Sequence, residues 1–204
     1  VSNASVRFFG DVLVTLVVIT DPSGLVPIFL GLTSGREARE RHRLAWQAAV
    51  VAFGVIVAFA LFGQSILSYL GVELPALQAA GGLLLLLVAL QLLTGTSQEP
   101  TEAQRTTNVA FVPLGTPLLA GPGAIVATML FVKRINGWAD IVAFSTAIVI
   151  VSVLLWLAMR FSALFLRLLR PSGVELVTRI SGLLLSAIAV QLVAGAVRAF
   201  VKQG

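Results

Sequence analysis

The chain has 204 residues, 58% of them hydrophobic and 11% charged, with a mean hydropathy of +1.00. A soluble domain of this length needs far more polar surface, so the solvent for most of the chain is lipid. Cysteine is absent, which excludes disulfides, thiolate chemistry and cysteine-held zinc or iron–sulfur centres; the net charge of +5 gathers at the ends of apolar runs, where it reports topology and headgroup contact rather than nucleic acid binding.

The first apolar run, residues 6–33, exceeds the roughly 20 residues that cross a bilayer. It has no small-residue cleavage site and reads as a retained span. Thr20-Asp21-Pro22-Ser23-Gly24-Leu25-Val26-Pro27 interrupts it. Proline lacks an amide hydrogen and clashes with the preceding turn, so this cluster breaks the helix. It also starts a new one, because Asp21 has N-cap chemistry and Pro22 suits the first helical position. Arg7 and Arg36 bracket the run 29 residues apart, roughly 43 Å at helical rise. That is the full membrane with its headgroups, and it puts Asp21 near the midplane.

Next come Ser34-x-x-Glu37, with the spacing of a capping box, and an arginine-rich loop whose His42 reads as a solvated, headgroup-facing residue. Residues 44–70 form the second span and 75–94 the third, in which Gly81-Gly82 suits close helix packing. A polar connection, 95–107, divides the chain nearly in half. The fourth span, 108–131, is interrupted by Pro113-Leu114-Gly115-Thr116-Pro117-Leu118-Leu119-Ala120-Gly121-Pro122-Gly123. Arg105 and Lys133 bracket it 28 residues apart, about 42 Å at helical rise, so this break is central too. Freed backbone groups are costly in hydrocarbon, and two breaks at one depth imply a protein-lined or wet cavity. The fifth span is 139–169, and Ser172-x-x-Glu175 opens the sixth, 175–200.

The halves read as copies. Residues 77–95 laid over 177–195 match at eight of 19 positions, among them Gly82/Gly182, Gln91/Gln191 and Gly95/Gly195, and Pro22 falls on Pro122 at the same offset. Each half, 1–100 and 101–204, holds three spans. An odd number turns the second copy upside down, the inverted-repeat layout of many secondary transporters, whose site lies between the repeats. Lys and Arg divide 9 to 5: Arg36, Arg39, Arg41, Arg43, Arg105, Arg160, Arg167, Arg170 and Arg179 against Arg7, Lys133, Arg134, Arg198 and Lys202. The first set marks the cytoplasmic side, which leaves both termini outside.

Asp21 is the acid placed at mid-membrane, where an ionisable group is by default a functional hypothesis; its bland alternative is a structural cap. Its carboxylate suits a substrate ammonium, a coupling Na+ or H+, or proton carriage. Gly121, Gly123 and Ala124 offer bare amides at a positive helix end for a carboxylate, or merely shape a kink. Together the two motifs suit a zwitterion. Thr20, Ser23 and Thr116 are candidate donors that also rebond readily to their own helices. Gln91 and Gln191 read as hydrogen-bonded links between helices.

At these residues the sequence resembles the MarC family of bacterial inner-membrane proteins. Their first span carries D-P-x-G-x-x-P, here Asp21-Pro22-Ser23-Gly24-Leu25-Val26-Pro27, and their fourth P-L-x-x-P-x-x-x-G-P-G, here Pro113 to Gly123. The resemblance covers essentially the whole chain. It implies a six-span, all-helical membrane protein distantly like amino-acid exporters of the LysE type, and some members look like transporters of small neutral amino acids such as alanine and glycine. The expectation is therefore an ion-coupled secondary transporter of small neutral solutes in a bacterial inner membrane, with lipid as its solvent, room for homo-oligomers, and no metal or other cofactor. The alternatives are an exporter or flippase of another small metabolite or lipid headgroup, or a non-transporting scaffold. A single His and no second acid near Asp21 speak against an enzyme.

Overall fold

The computed structural model describes residues 3–33, 35–95 and 121–203. Among these residues all regular structure is helical: α1 (Asn3–Thr20), α2 (Pro22–Leu32), α3 (Ala38–Leu70), α4 (Leu74–Thr94), α5 (Pro122–Val132), α6 (Trp138–Arg160) and α7 (Ser162–Gln203). Among the described residues five stretches are long and apolar enough to cross a membrane, namely Ala4–Val26, Ala38–Leu70, Leu74–Thr94, Trp138–Arg160 and Glu175–Lys202; α5 is a shorter apolar helix. The first span is broken as expected, between Thr20 and Pro22. Of the expected fourth span, 108–131, only the part from residue 121 is described, and it holds the short helix α5.

The Ser172-x-x-Glu175 box opens no helix, and the Ser34-x-x-Glu37 box is described only in part. Ser34 lies outside the described residues, and α3 starts after Glu37, whose side chain caps nothing. Ser172 and Glu175 lie inside α7, which runs 42 residues without interruption. The fifth span also ends earlier than residue 169: α6 closes at Phe161, whose amide donates to the Leu157 carbonyl at 2.9 Å. Pro171 removes a single backbone donor and does not interrupt α7. The ends of α3 and α4 follow the sequence directly. Gly71 (φ +65°) and Gly95 (φ +72°) take the left-handed conformation that closes a helix, and the Val72 amide returns to Leu67 O at 3.0 Å.

The interior is built from small and branched residues at helical spacing. Ala45, Ala48, Ala49, Ala52 and Ile56 of α3, Phe144, Ala147, Ile148, Val151 and Leu155 of α6, and Val12 and Leu16 of α1 share one buried cluster. Large apolar residues such as Leu61, Leu84, Leu87, Val153 and Leu183 point outward, the pattern expected where lipid replaces water.

The tightest helix pair is α4 with α7, and its geometry is reciprocal. A Cβ on Gly82 would stand 3.0 Å from Ala189 O and 3.1 Å from Leu192 Cβ; one on Gly182 would stand 3.1 Å from Ala89 O and 3.1 Å from Leu92 Cβ. These glycines serve close packing, as their motif suggests. Gln91 and Gln191 are not links between helices: both are exposed, and their side chains make no hydrogen bond among the described residues. The reason is angular. Ala89 and Ala189 occupy the seam, and two residues further on the side chain has turned by about 200°.

Two ends of the bundle are recognisable. At one, Ser5 donates to Asp140 at 2.9 Å and Arg134 lies 3.6 Å from Asp11. At the other, the Arg160 guanidinium donates to the His42 imidazole, tying α6 to the start of α3. His42 is half-exposed at this end of the bundle, in keeping with a headgroup-facing position. One turn inward Trp46 and Trp156 meet edge to face at 6.0 Å, while Trp138 and Tyr69 are exposed at the Arg134 end. Aromatic residues near both ends fit two membrane interfaces.

Candidate functional site: a broken helix with a buried carboxylate

Asp21 is the hinge of the first span. Its φ of +39° makes it the single non-glycine residue with positive φ among those described, a conformation that aspartate tolerates better than most residues and that costs of order 1–3 kcal/mol. Helical bonding stops on one side of it and restarts on the other. Its amide donates to Val17 O at 3.0 Å, and its carbonyl accepts from the Leu25 amide at 3.1 Å. Pro22 then occupies the first position of α2, where no amide is missed.

The side chain is not the N-cap that the sequence suggests. Asp21 Oδ1 accepts from Ser23 Oγ at 2.8 Å, whereas Oδ2 is buried and has no hydrogen-bond partner among the described residues. The residue is 9% exposed. A buried carboxylate oxygen without a partner is expensive, and such a group calls for an explanation such as an ion, a proton or a ligand. Gly24 makes this placement feasible, since a Cβ there would lie 2.1 Å from Asp21 Oδ2. Ser23 Oγ also lies 3.4 Å from Ser181 Oγ of α7. Ser181 was not singled out in the sequence, although the overlay of halves sets it against Gly81. The two positions have matching neighbours: Ser181 meets the start of α2, while a Cβ on Gly81 would lie 3.4 Å from Pro122 O at the start of α5.

Thr20 rebonds to its own helix, donating to Leu16 O at 2.8 Å. Pro27 lies within α2 and does not end it. Thr116, Pro113 and Pro117 lie outside the described residues.

The start of α5 is packed rather than open. Gly121 precedes α5 in extended conformation, Pro122 is its first residue, and the Ile125 amide returns to Gly121 O at 3.1 Å. Gly123 and Ala124 are buried. A Cβ on Gly123 would stand 2.1 Å from Leu85 Cδ1 and 3.3 Å from Ile19 Cγ2. The start of α5 therefore abuts Ile19, two residues before Asp21, and lies in the same layer of the core as the break in the first span. Thr128 Oγ1, one turn further along α5 and missed in the sequence, is also buried without a partner among the described residues.

A cavity of about 380 Å³ opens near Arg134 and Arg198 and reaches down to Ile19 and Ala127. Asp21, Ser23, Gly24, Gly121, Gly123 and Ala124 are not among its lining residues. Ile19, against Gly123, lies where the cavity ends and the broken helix begins. The described residues hold no cluster of three His, Cys, Asp or Glu able to bind a metal.

Residues 6–201 match the family described as MarC family integral membrane protein. Among curated proteins the chain is similar to a UPF0056 membrane protein of Methanocaldococcus jannaschii, at 36% identity over 88% of this chain and 91% of that one. A UPF0056 membrane protein of Aquifex aeolicus is 34% identical over 95% and 94% of the two chains. The UPF0056 inner membrane protein MarC of Citrobacter koseri is 30% identical over 96% of each. No solved structure matches the chain.

Proposed function

The chain belongs to the MarC family of integral membrane proteins, and from that premise we propose that it is a secondary transporter of small neutral solutes, foremost neutral amino acids, working by alternating access. The observation that carries the reading is Asp21: a carboxylate at a mid-span helix break, 9% exposed, with one oxygen lacking a partner among the described residues. An acid held this way in a membrane is suited to a substrate ammonium, a coupling Na+ or a carried proton.

The reading takes the protein as six spans in two inverted repeats. Several features support that arrangement. Helices α2 and α5 each have 11 residues and begin at prolines 100 positions apart, Pro22 and Pro122. They exchange partners: α2 packs on α6 and α7, α5 on α3 and α4. They also lead to opposite ends of the bundle, α5 to Arg134 and α2 to the start of α3 beside Arg160. With Gly82 and Gly182 as reciprocal pivots, the substrate passes between repeats, and separation of Ile19 from Gly123 joins the cavity to Asp21. The Lys and Arg bias of 9 to 5 supports an orientation with both termini on the exterior of an inner membrane.

Counterflow of labelled neutral amino acids in proteoliposomes, with and without Na+ and H+ gradients, tests this reading. Saturable exchange of at least one of them supports it. No exchange across the panel, by protein that is folded and inserted, overturns it.

A further inference from the structure

The cavity at the Arg134 end has a chemistry that the broken helices leave unused. Its polar groups are Thr15 of α1, Gln78 of α4, Gln191 and Arg198 of α7, and Arg134 just after α5. Among the described residues, no carboxylate lines it. Each of these side chains donates hydrogen bonds, and the guanidinium groups do nothing else. Arg134 is partly occupied, with Asp11 at 3.6 Å and the Phe131 ring 5.6 Å below its guanidinium. Arg198, Gln78 and Gln191 have no hydrogen-bond or ion-pair partner among the described residues. Gly195 supplies room for one of them, because a Cβ there would stand 2.6 Å from Gln78 Nε2. The volume, about 380 Å³, suits a small molecule.

We propose that this cavity captures the carboxylate of a small solute before it moves toward Asp21, with Arg198 as the binding charge and Gln78 and Gln191 as neutral donors. The proposal deepens the transport reading, rests on it, and names the substrate class: a solute must carry a carboxylate as well as, for Asp21, an ammonium. A lipid phosphate presents similar oxyanion chemistry. The solute is favoured because the cavity descends to Ile19, beside the break, instead of ending among headgroups.

The test is equilibrium binding of labelled alanine to the full chain in phosphatidylcholine nanodiscs, with acetate and ethylamine as competitors. Acetate should compete through the cavity. Arg198→Gln should weaken alanine binding about tenfold, the worth of one charge-assisted hydrogen bond, and remove both acetate competition and most of the salt dependence. Gly195→Ala, which displaces only the flexible end of Gln78, should weaken binding in the same direction while the protein keeps its thermal stability. Unchanged binding in both variants overturns the proposal, as does wild-type alanine binding that acetate never displaces. Adding phosphatidylglycerol separates the sources: if it displaces alanine from the wild type but not from Arg198→Gln, the site belongs to lipid headgroups and the solute assignment falls. Failure of the transport reading looks different, since Arg198-dependent binding would persist while exchange was absent or indifferent to Asp21→Asn.

Discussion

The sharpest consequence of the geometry concerns Gly24. A methyl group there would sit 2.1 Å from Asp21 Oδ2, whereas ordinary contact begins near 3.4 Å. In Gly24→Ala the carboxylate must therefore retreat by about 1 Å or turn away from Ser23, a displacement that typically costs about 100-fold in rate when the group acts in the transport step. The fold should not suffer, because alanine in a helix is favoured over glycine by about 0.5–1 kcal/mol, which roughly offsets a rotamer cost of about 0.5–1.5 kcal/mol. Initial rates of amino-acid counterflow, measured beside thermal unfolding in detergent, separate the two effects. The expectation is a loss of about two orders of magnitude at nearly unchanged stability. A wild-type rate at wild-type stability would mean that the position of the Asp21 carboxylate is irrelevant and that Gly24 serves only the backbone.

Other consequences are equally direct. Gly82→Ala should be less stable than Gly54→Ala by about 1–3 kcal/mol, the cost of overpacking, because Gly82 faces Val193 and Ala189 O whereas nothing lies within 4 Å of a Cβ on Gly54; equal unfolding midpoints would contradict the reciprocal seam. Ser181→Ala should slow exchange by no more than about tenfold, since it removes one long hydroxyl contact; loss as deep as that of Gly24→Ala would make Ser181 a direct ligand of the transported species. The chain has no cysteine, so single-cysteine variants report topology cleanly. Lys133→Cys should react with an impermeant maleimide on intact cells and Arg39→Cys only after permeabilisation, and the reverse pattern would invert the orientation.

Local backbone chemistry made much of the fold legible in advance. The break at Asp21-Pro22, the start of α5 at Pro122, and the Gly82/Gly182 seam all follow from residues whose backbone or size leaves few alternatives. What stayed hidden depends on contacts distant in sequence or on rotation about a helix axis. Ser172-x-x-Glu175 looks like a start, but the helix already runs from Ser162. The glutamine pair at 91 and 191 matches across the halves because both lie at the same angle from the seam, and that angle turns them away from the α4–α7 contact, Gln191 toward the cavity at the Arg134 end. Asp21 has the chemistry of a cap, yet its positive φ aims the carboxylate at Ser23 and Gly24 rather than at free amides. The donor-lined cavity joins four helices through Thr15, Gln78, Arg134 and Arg198, residues that share no motif and meet only in the folded bundle.

The account stands or falls on the charge or proton of Asp21 being required for turnover. Asparagine keeps the size of the side chain, tolerates the left-handed conformation and retains an acceptor for Ser23. Asp21→Asn should therefore insert and fold like the wild type, which size-exclusion chromatography and thermal unfolding would verify, while counterflow of neutral amino acids in proteoliposomes falls to the level of protein-free vesicles. Wild-type exchange by a correctly folded Asp21→Asn variant would contradict the account and leave Asp21 as a structural hinge.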